Sequence, residues 1–280
     1  MRQKPQRILF HLFLLIGFIC LLLVSKMVNL VQSVLKKSYW RVRMKIEFFH
    51  DIICSFCFPM SDRMHEIQQE FPEIELIHRS FALGWSANDF ETMFGSRAAV
   101  KEEVLTHWVH ANQNDSKHRF NIEGMRKQRF DFPTSKNALL AAKAAGYIGN
   151  QDTYWLLFDK LQEGLFMRSL NIEEPEVIEE LVKETTIDFA LWKEAVASEA
   201  VWTAVQEDFA LASAYGLQGV PALIINQKYL INGAVPKQQI SQTIQKILAE
   251  EKQQQPLVSL TPSSEESASC EFKEGTWTCH

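Results

Sequence analysis

Two cysteines separated by two residues are the part of this sequence with the clearest chemical capacity. Cys54 and Cys57 flank Ser55-Phe56 and follow a short apolar run at 46–49. A Cys-x-x-Cys pair between a strand and a helix is typical of a thiol–disulfide site. The spacing lets both sulfurs lie in the first helical turn, where free amides and the helix dipole stabilise a thiolate. The motif therefore predicts a redox-active pair.

The segments around this pair predict an α/β protein. The expected order is a strand, a helix that begins near Cys54, a second strand, a long helical block, a hairpin and a last helix. Their approximate bounds are 45–50, 54–71, 73–80, 91–215, 222–231 and 236–250. The strands can form one mixed sheet with helices on both faces. In the hairpin turn, Asn226 tolerates positive φ, whereas Gln227 suits a tight turn poorly.

Several stretches resemble the DsbA family of the thioredoxin superfamily, and most closely its FrnE-like branch. They read H-D-I-I-C-S-F-C-F-P at 50–59, P-T-S-K-N-A-L-L-A-A-K-A-A-G at 133–146 and Y-G-L-Q-G-V-P-A-L-I-I-N at 215–226. The resemblance covers about 45–250. It implies an α/β, thioredoxin-like mixed sheet with an inserted all-helical domain.

The resemblance divides the chain into a core that is interrupted by an insertion, with a separate segment at each end. Residues 44–84 and 216–252 would form the thioredoxin-like domain, and 85–215 the helical insertion. In that block we expect the tryptophans at 108, 155, 192 and 202 to be core residues. The tail at 253–280, rich in Gln, Ser, Glu and Pro, is expected to be flexible.

The resemblance also implies roles for the site residues. Cys54 would be the exposed attacking thiolate and Cys57 the buried resolving thiol. Pro221 would be a cis-proline beside the pair, in agreement with the low cost of a cis X-Pro bond and the missing N–H of proline. With Val220, it would shape the groove where a substrate chain pairs.

Ser55 and Phe56 complete this expected substrate groove. Neither residue can carry a positive charge beside Cys54, so we expect a less strongly oxidising site than one with a histidine between its cysteines. Asp51 either tunes the cysteines or caps the redox loop, and the sequence favours neither role.

The remaining cysteines have weaker interpretations. Cys270 and Cys279 close a short loop and could form an auxiliary redox disulfide, although two idle cysteines on a flexible tail explain the pattern equally well. A zinc site that combines them with Cys54 and Cys57 is disfavoured by their spacing. We therefore predict no metal site and no cofactor beyond the redox-active disulfide, with glutathione left open as a co-substrate.

Composition and the N-terminus bear on partners and location. A formal net charge of -5 and a pI of about 5.9 argue against a general nucleic-acid binder. The uncharged stretch 8–24 within residues 1–43 suggests an N-terminal anchor, unless the reading frame starts at Met44. The expected location is a bacterial membrane in the first case and the cytoplasm in the second.

Three function classes remain open from the sequence. The leading one is a thiol–disulfide oxidoreductase that acts on thiol- or disulfide-containing proteins together with an unknown redox partner. The second is a glutathione-dependent isomerase or transferase of the same fold, but relatives of that kind usually carry a serine site instead of the cysteine pair. The third is a DsbA-like adaptor that presents clients to a protease, for which no docking motif is seen.

Overall fold

The computed structural model describes residues 44–253, 270–273 and 276–279. Strands alternate with helices at both ends of the main region, and helices alone fill its middle. The strands are β1 Lys45–His50, β2 Glu75–Ser80, β3 Ala222–Ile225, β4 Tyr229–Asn232, β5 Cys270–Lys273 and β6 Thr276–Cys279. The helices are α1 Cys57–Glu70, α2 Ala87–Phe94, α3 Val100–Asn114, α4 Ile122–Lys127, α5 Lys136–Ile148, α6 Gln151–Gln162, α7 Pro175–Lys183, α8 Phe189–Val196, α9 Glu199–Ala214 and α10 Lys237–Gln253.

The four-stranded sheet is mixed, with the order β2-β1-β3-β4. Strand β1 runs parallel to β2 and antiparallel to β3, and β3 and β4 form an antiparallel hairpin. After its exposed first residue, β1 is buried throughout, as expected for a strand with neighbours on both sides and helices on both faces. All helices between β2 and β3 belong to one insertion. The predicted thioredoxin-like sheet with an inserted helical region is thereby confirmed, while the domain bounds stay a prediction.

The helical insertion has an aromatic and aliphatic core. Trp108, Trp155 and Trp192 are buried, as predicted. The fourth tryptophan was predicted wrongly, because Trp202 is 40% exposed. It lies at the surface, where its ring contacts Trp85 edge-on at 5.5 Å between centroids and Lys136 Nζ lies 5.3 Å from its centroid.

The β3–β4 hairpin forms despite its unfavourable turn residue. Asn226 and Gln227 both have positive φ, and Lys228 N donates to Ile225 O at 3.0 Å. The Asn226 side chain accepts a hydrogen bond from Lys45 N at 2.7 Å and donates to Glu251 at 2.6 Å. These contacts fix the first turn residue, so the second adopts a conformation that its own preference does not favour.

A buried cluster of charges joins the sheet to the insertion. Asp208 on α9 is 1% exposed and bonds to Arg79 and to the backbone amide of Ser80 on β2. Its carboxylate also pairs with Lys143 on α5. Arg79 has Glu47 of β1 as a second partner at 2.7 Å. The cluster therefore holds helices of the insertion against the two neighbouring strands of the sheet.

The N-terminal predictions fall largely outside the described part of the chain. Within the described residues, no helix is long and apolar enough to cross a membrane. On this finding we correct the predicted membrane localisation. Residues 1–43, with the apolar stretch 8–24, lie outside the described residues.

The tail contains an element that the sequence did not predict. Strands β5 and β6 pair antiparallel within the segment that was expected to be flexible. The flexibility of the remaining tail residues stays a prediction.

The charge cluster leads to a stability prediction. We expect Asp208→Asn to lower the free energy of unfolding by about 3 kcal/mol, because Lys143 keeps its charge in a buried place without its carboxylate partner. The measurement is urea denaturation of both proteins. As a control, Glu180→Gln removes the exposed partner of Lys183 and should cost less than about 1 kcal/mol. Equal losses in the two variants would contradict the account.

Candidate active site

The redox loop connects the end of β1 to the start of α1. Cys54 N donates to Asp51 O at 3.2 Å, and Cys57 N donates to Cys54 O at 3.0 Å. Helix α1 begins at Cys57, so the prediction of a helix that begins near Cys54 is corrected by three residues. Only Cys57 lies in the first helical turn. Cys54 lies in the loop before the helix, since Phe56 is the N-cap residue.

The two cysteines are free thiols with little exposure. Cys57 is fully buried, as predicted. Cys54 is only 4% exposed, which corrects the expectation of an exposed thiol. Its sulfur lies 3.5 Å from the carbonyl oxygen of Val220, and its side chain belongs to the hydrophobic core cluster. The accessible surface of Cys54 is therefore small.

The environment of Cys57 favours its protonated form. Burial raises the pKa of the Cys57 thiol well above its ordinary value. A hydrogen bond from this thiol to the sulfur of Cys54 raises the pKa further, and the negative charge of Asp51 acts in the same direction. The backbone amide of Asp51 opposes these effects by bonding to the Cys57 sulfur. Cys57 therefore holds its proton more firmly than an ordinary thiol does.

The loop before β3 meets the redox loop. The Val220–Pro221 peptide bond is cis, as predicted. Pro221 is buried and Val220 is half-buried. Of the predicted groove residues, Val220 is brought into contact with Cys54. Phe56 is half-buried. Ser55 is 8% exposed and offers little surface to a substrate.

Asp51 holds the redox loop through several hydrogen bonds. One carboxylate oxygen accepts from Ile53 N at 3.2 Å, and the other accepts from Leu83 N at 2.7 Å and from Ser135 Oγ at 2.6 Å. Burial raises the pKa of Asp51 to about 6, and the hydrogen bonds reduce the shift. The geometry includes the predicted capping of the loop. The predicted tuning of the cysteines stays a prediction.

Sequence reasoning missed two neighbours of the redox loop. Ser135, which precedes α5 in the insertion, reaches Asp51 across the domain, and its place in the family-like stretch 133–146 was the signal that could have pointed to it. His78 on β2 is buried and shares a hydrogen bond of 3.1 Å with His50, the last residue of β1. Burial lowers the pKa of both imidazoles, to about 3 for His78, so both rings are neutral near pH 7. The sequence carried no signal that joined these two histidines.

Comparison with known families identifies the family of the sequence. The model of the DSBA-like thioredoxin domain matches residues 45–245. The chain belongs to this family. The FrnE-like branch within it is compatible with the match and stays a prediction. Comparison with curated protein sequences gives no match.

Solved structures support the fold of this DSBA-like domain. A probable DsbA oxidoreductase from Streptomyces coelicolor is 19% identical, with a TM-score of 0.59, covering 82% of this chain and 97% of its own. The cytosolic disulfide reductase DsbM from Pseudomonas aeruginosa is 13% identical, with a TM-score of 0.58 and coverages of 73% and 99%. A 2-hydroxychromene-2-carboxylate isomerase is 11% identical, with a TM-score of 0.54 and coverages of 76% and 100%. At these identities the likeness shows the fold alone.

The DSBA-like domain does not include the last two cysteines. Cys270 and Cys279 are register partners at the open end of the β5–β6 hairpin. Their predicted auxiliary redox role stays a prediction.

The raised pKa of Asp51 leads to a pH prediction. Its folded-state value of about 6 exceeds the ordinary 3.8, so the folded protein binds the proton more tightly than the unfolded chain. The corresponding stability is fully present below about pH 4 and is lost as the pH rises through 6, a change of about 3 kcal/mol. We expect Asp51→Asn to remove this part of the pH dependence, measured by urea denaturation between pH 4 and 7.

A matched control is Asp152→Asn, which alters an exposed carboxylate on α6. This variant should keep the parental dependence of stability on pH. If Asp51→Asn also keeps it, the assignment of the raised pKa to Asp51 is wrong.

Proposed function

We propose that this protein is a thiol–disulfide oxidoreductase that acts through Cys54 and Cys57. The observation that carries the proposal is the contact between the Cys54 sulfur and the Val220 carbonyl oxygen, 3.5 Å apart, in a pair whose second member, Cys57, is buried and has a raised pKa. In this arrangement, the sulfur of Cys54 contacts the loop at Val220–Pro221, and the buried Cys57 remains protonated until the second step. The membership in the DSBA-like family supports the same chemistry.

In the reducing direction, the Cys54 thiolate attacks one sulfur of a substrate disulfide. The substrate S–S bond breaks, the other substrate sulfur leaves as a thiolate and takes up a proton, and a mixed disulfide with Cys54 forms. Cys57 then loses its proton and attacks the Cys54 sulfur, which releases the second substrate thiol. The pair loses two electrons and the substrate gains two. The oxidising direction runs through the same steps in reverse.

Asp51 has a tuning role in this proposal. Because its carboxylate is largely ionised above about pH 6, its charge helps to keep the proton on Cys57 until the mixed disulfide has formed. Val220 and Phe56 would border the substrate next to the buried Pro221, with a small contribution from the little surface that Ser55 exposes. The substrates would be proteins that carry thiols or disulfides, and glutathione as a co-substrate stays a prediction.

Both cysteines should be needed for activity, but only one of the two serine variants should trap an intermediate. We expect the parent protein to reduce insulin in the presence of dithiothreitol, and both Cys54→Ser and Cys57→Ser to lose at least about 90% of that rate, because each step needs one sulfur. Turbidity of the released insulin chains gives the rate. Only Cys57→Ser should accumulate a mixed disulfide, which mass spectrometry detects. Parental rates in both serine variants would sink the proposal.

We further propose that Cys270 and Cys279 form a second disulfide that serves as an auxiliary redox pair. Directly opposed residues of an antiparallel hairpin have Cα atoms about 4.5–5.5 Å apart. This range lies within the separation that a disulfide requires. Oxidised glutathione can accept the two electrons released when the bond forms.

The test of this second proposal uses a variant in which the other three cysteines, Cys20, Cys54 and Cys57, are replaced by serine. After treatment with oxidised glutathione and blocking of free thiols, peptide mapping should find Cys270 linked to Cys279. Cys279→Ser in the same background is the control and should leave Cys270 free or glutathionylated. Two blocked, unlinked cysteines would contradict this second proposal without affecting the first.

A further inference from the structure

A largely apolar groove lies next to the loop that leads to Pro221. It encloses about 620 Å³ between the segment after β2, helix α2, the end of α9 and the turn at 216–218. We call it the Trp85 groove. Its large apolar lining residues are Phe81, Leu83, Trp85, Met93, Phe209 and Leu217.

Two walls of the Trp85 groove continue into the redox centre. On one side, Leu83 N donates to the Asp51 carboxylate at 2.7 Å. On the other side, Gln218 lines the groove and lies two positions before Val220, whose carbonyl contacts the Cys54 sulfur. Two residues of extended chain span about 7 Å. A substrate chain attached to Cys54 therefore reaches the groove within a few residues of its own cysteine.

The walls of the groove are built for apolar groups. The Trp85 ring is fixed edge-on against Phe209, with 5.2 Å between centroids. Leu83 and Met93 line the groove and are 38% and 53% exposed, so their side chains are accessible to a bound group. Methionine adapts its shape to different partners, so Met93 can follow the outline of more than one side chain.

Charge separates the candidate occupants. Among the described residues that line the groove, none is Lys or Arg, and the one carboxylate, Asp89, already accepts hydrogen bonds from the amide and hydroxyl of Ser86. The two carboxylates of glutathione would find no cation there. An aromatic or large aliphatic side chain finds an apolar surface and requires no ionic partner.

We propose that the Trp85 groove binds a large apolar side chain of an extended polypeptide substrate while the cysteine of that substrate exchanges with Cys54. The proposal rests on the proposed function and adds the kind of side chain near the reacting cysteine by which a protein substrate is selected. It makes Met93, Trp85 and Leu83 determinants of specificity, because they contact the substrate away from the reacting sulfurs.

The test uses short peptides that carry one cysteine as a mixed disulfide with 2-mercaptoethanol. Each peptide has either Phe or Ala at one position, two or three residues before or after the cysteine. Reduced protein is mixed with each peptide, and the rate constant of peptide release is measured. We expect Phe to exceed Ala about tenfold in at least one position, since burial of the ring favours binding by about that factor.

A charge at the mouth should abolish this preference. Met93→Glu is expected to lower the ratio of Phe to Ala rates to about twofold or less, because the new carboxylate opposes burial of the ring. Leu191→Glu is the matched control, since Leu191 is 54% exposed on α8 and does not line the groove. It should keep the parental ratio. Equal rates for Phe and Ala peptides in the parent, or equal effects of the two variants, would overturn the proposal.

A second measurement separates this proposal from the proposed function. Peptides with serine in place of cysteine cannot exchange, and their binding to the protein is followed by fluorescence anisotropy. Tighter binding of the Phe peptide than of the Ala peptide supports the groove even if no disulfide is reduced, in which case the oxidoreductase proposal fails alone. Equal binding, together with normal reduction of the Ala peptide, overturns the groove alone.

Discussion

The different surroundings of two neighbouring buried sulfurs are the constraint on which the candidate site depends. Cys57 has no accessible surface, and burial raises the pKa of its thiol. Cys54 lies one turn earlier, against the carbonyl of Val220. Because a thiolate is the reactive form, a pair in which one sulfur keeps its proton has a fixed order of attack. The proposed exchange reaction follows from this difference.

The sheet places the parts of the site at one end of its strands. Phe49 on β1 pairs with Ala222 on β3, so the redox loop and Pro221 extend from the same end of an antiparallel pair. His50 pairs with Ser80 in the parallel β1–β2 ladder, so the segment 81–85 leaves the sheet at that end too. The insertion adds Ser135, which donates to Asp51. The positions of the redox loop, the loop at Val220–Pro221 and the Trp85 groove therefore follow from one register.

Local patterns predicted much of this arrangement, and long-range contacts account for what they missed. Strand β1, the hairpin and the cis bond before Pro221 follow from apolar runs, turn residues and a family motif. The partnership of Asp51 with Ser135 joins residues 84 positions apart, and no local periodicity reveals it. Likewise, the contact between Cys54 and Val220 joins residues 166 positions apart. Gln227 adopts positive φ because tertiary contacts of Asn226 outweigh local preference.

The central claim is that Cys54 is the attacking sulfur and Cys57 is the resolving thiol, which stays protonated until the mixed disulfide has formed. The most direct test is the rate at which iodoacetamide modifies each thiol of the reduced protein between pH 5 and 10, resolved by peptide mass spectrometry. The account predicts that Cys54 reacts first and that Cys57 reacts only at the alkaline end of this range or after unfolding. Modification of Cys57 as fast as Cys54 near pH 7 would contradict it.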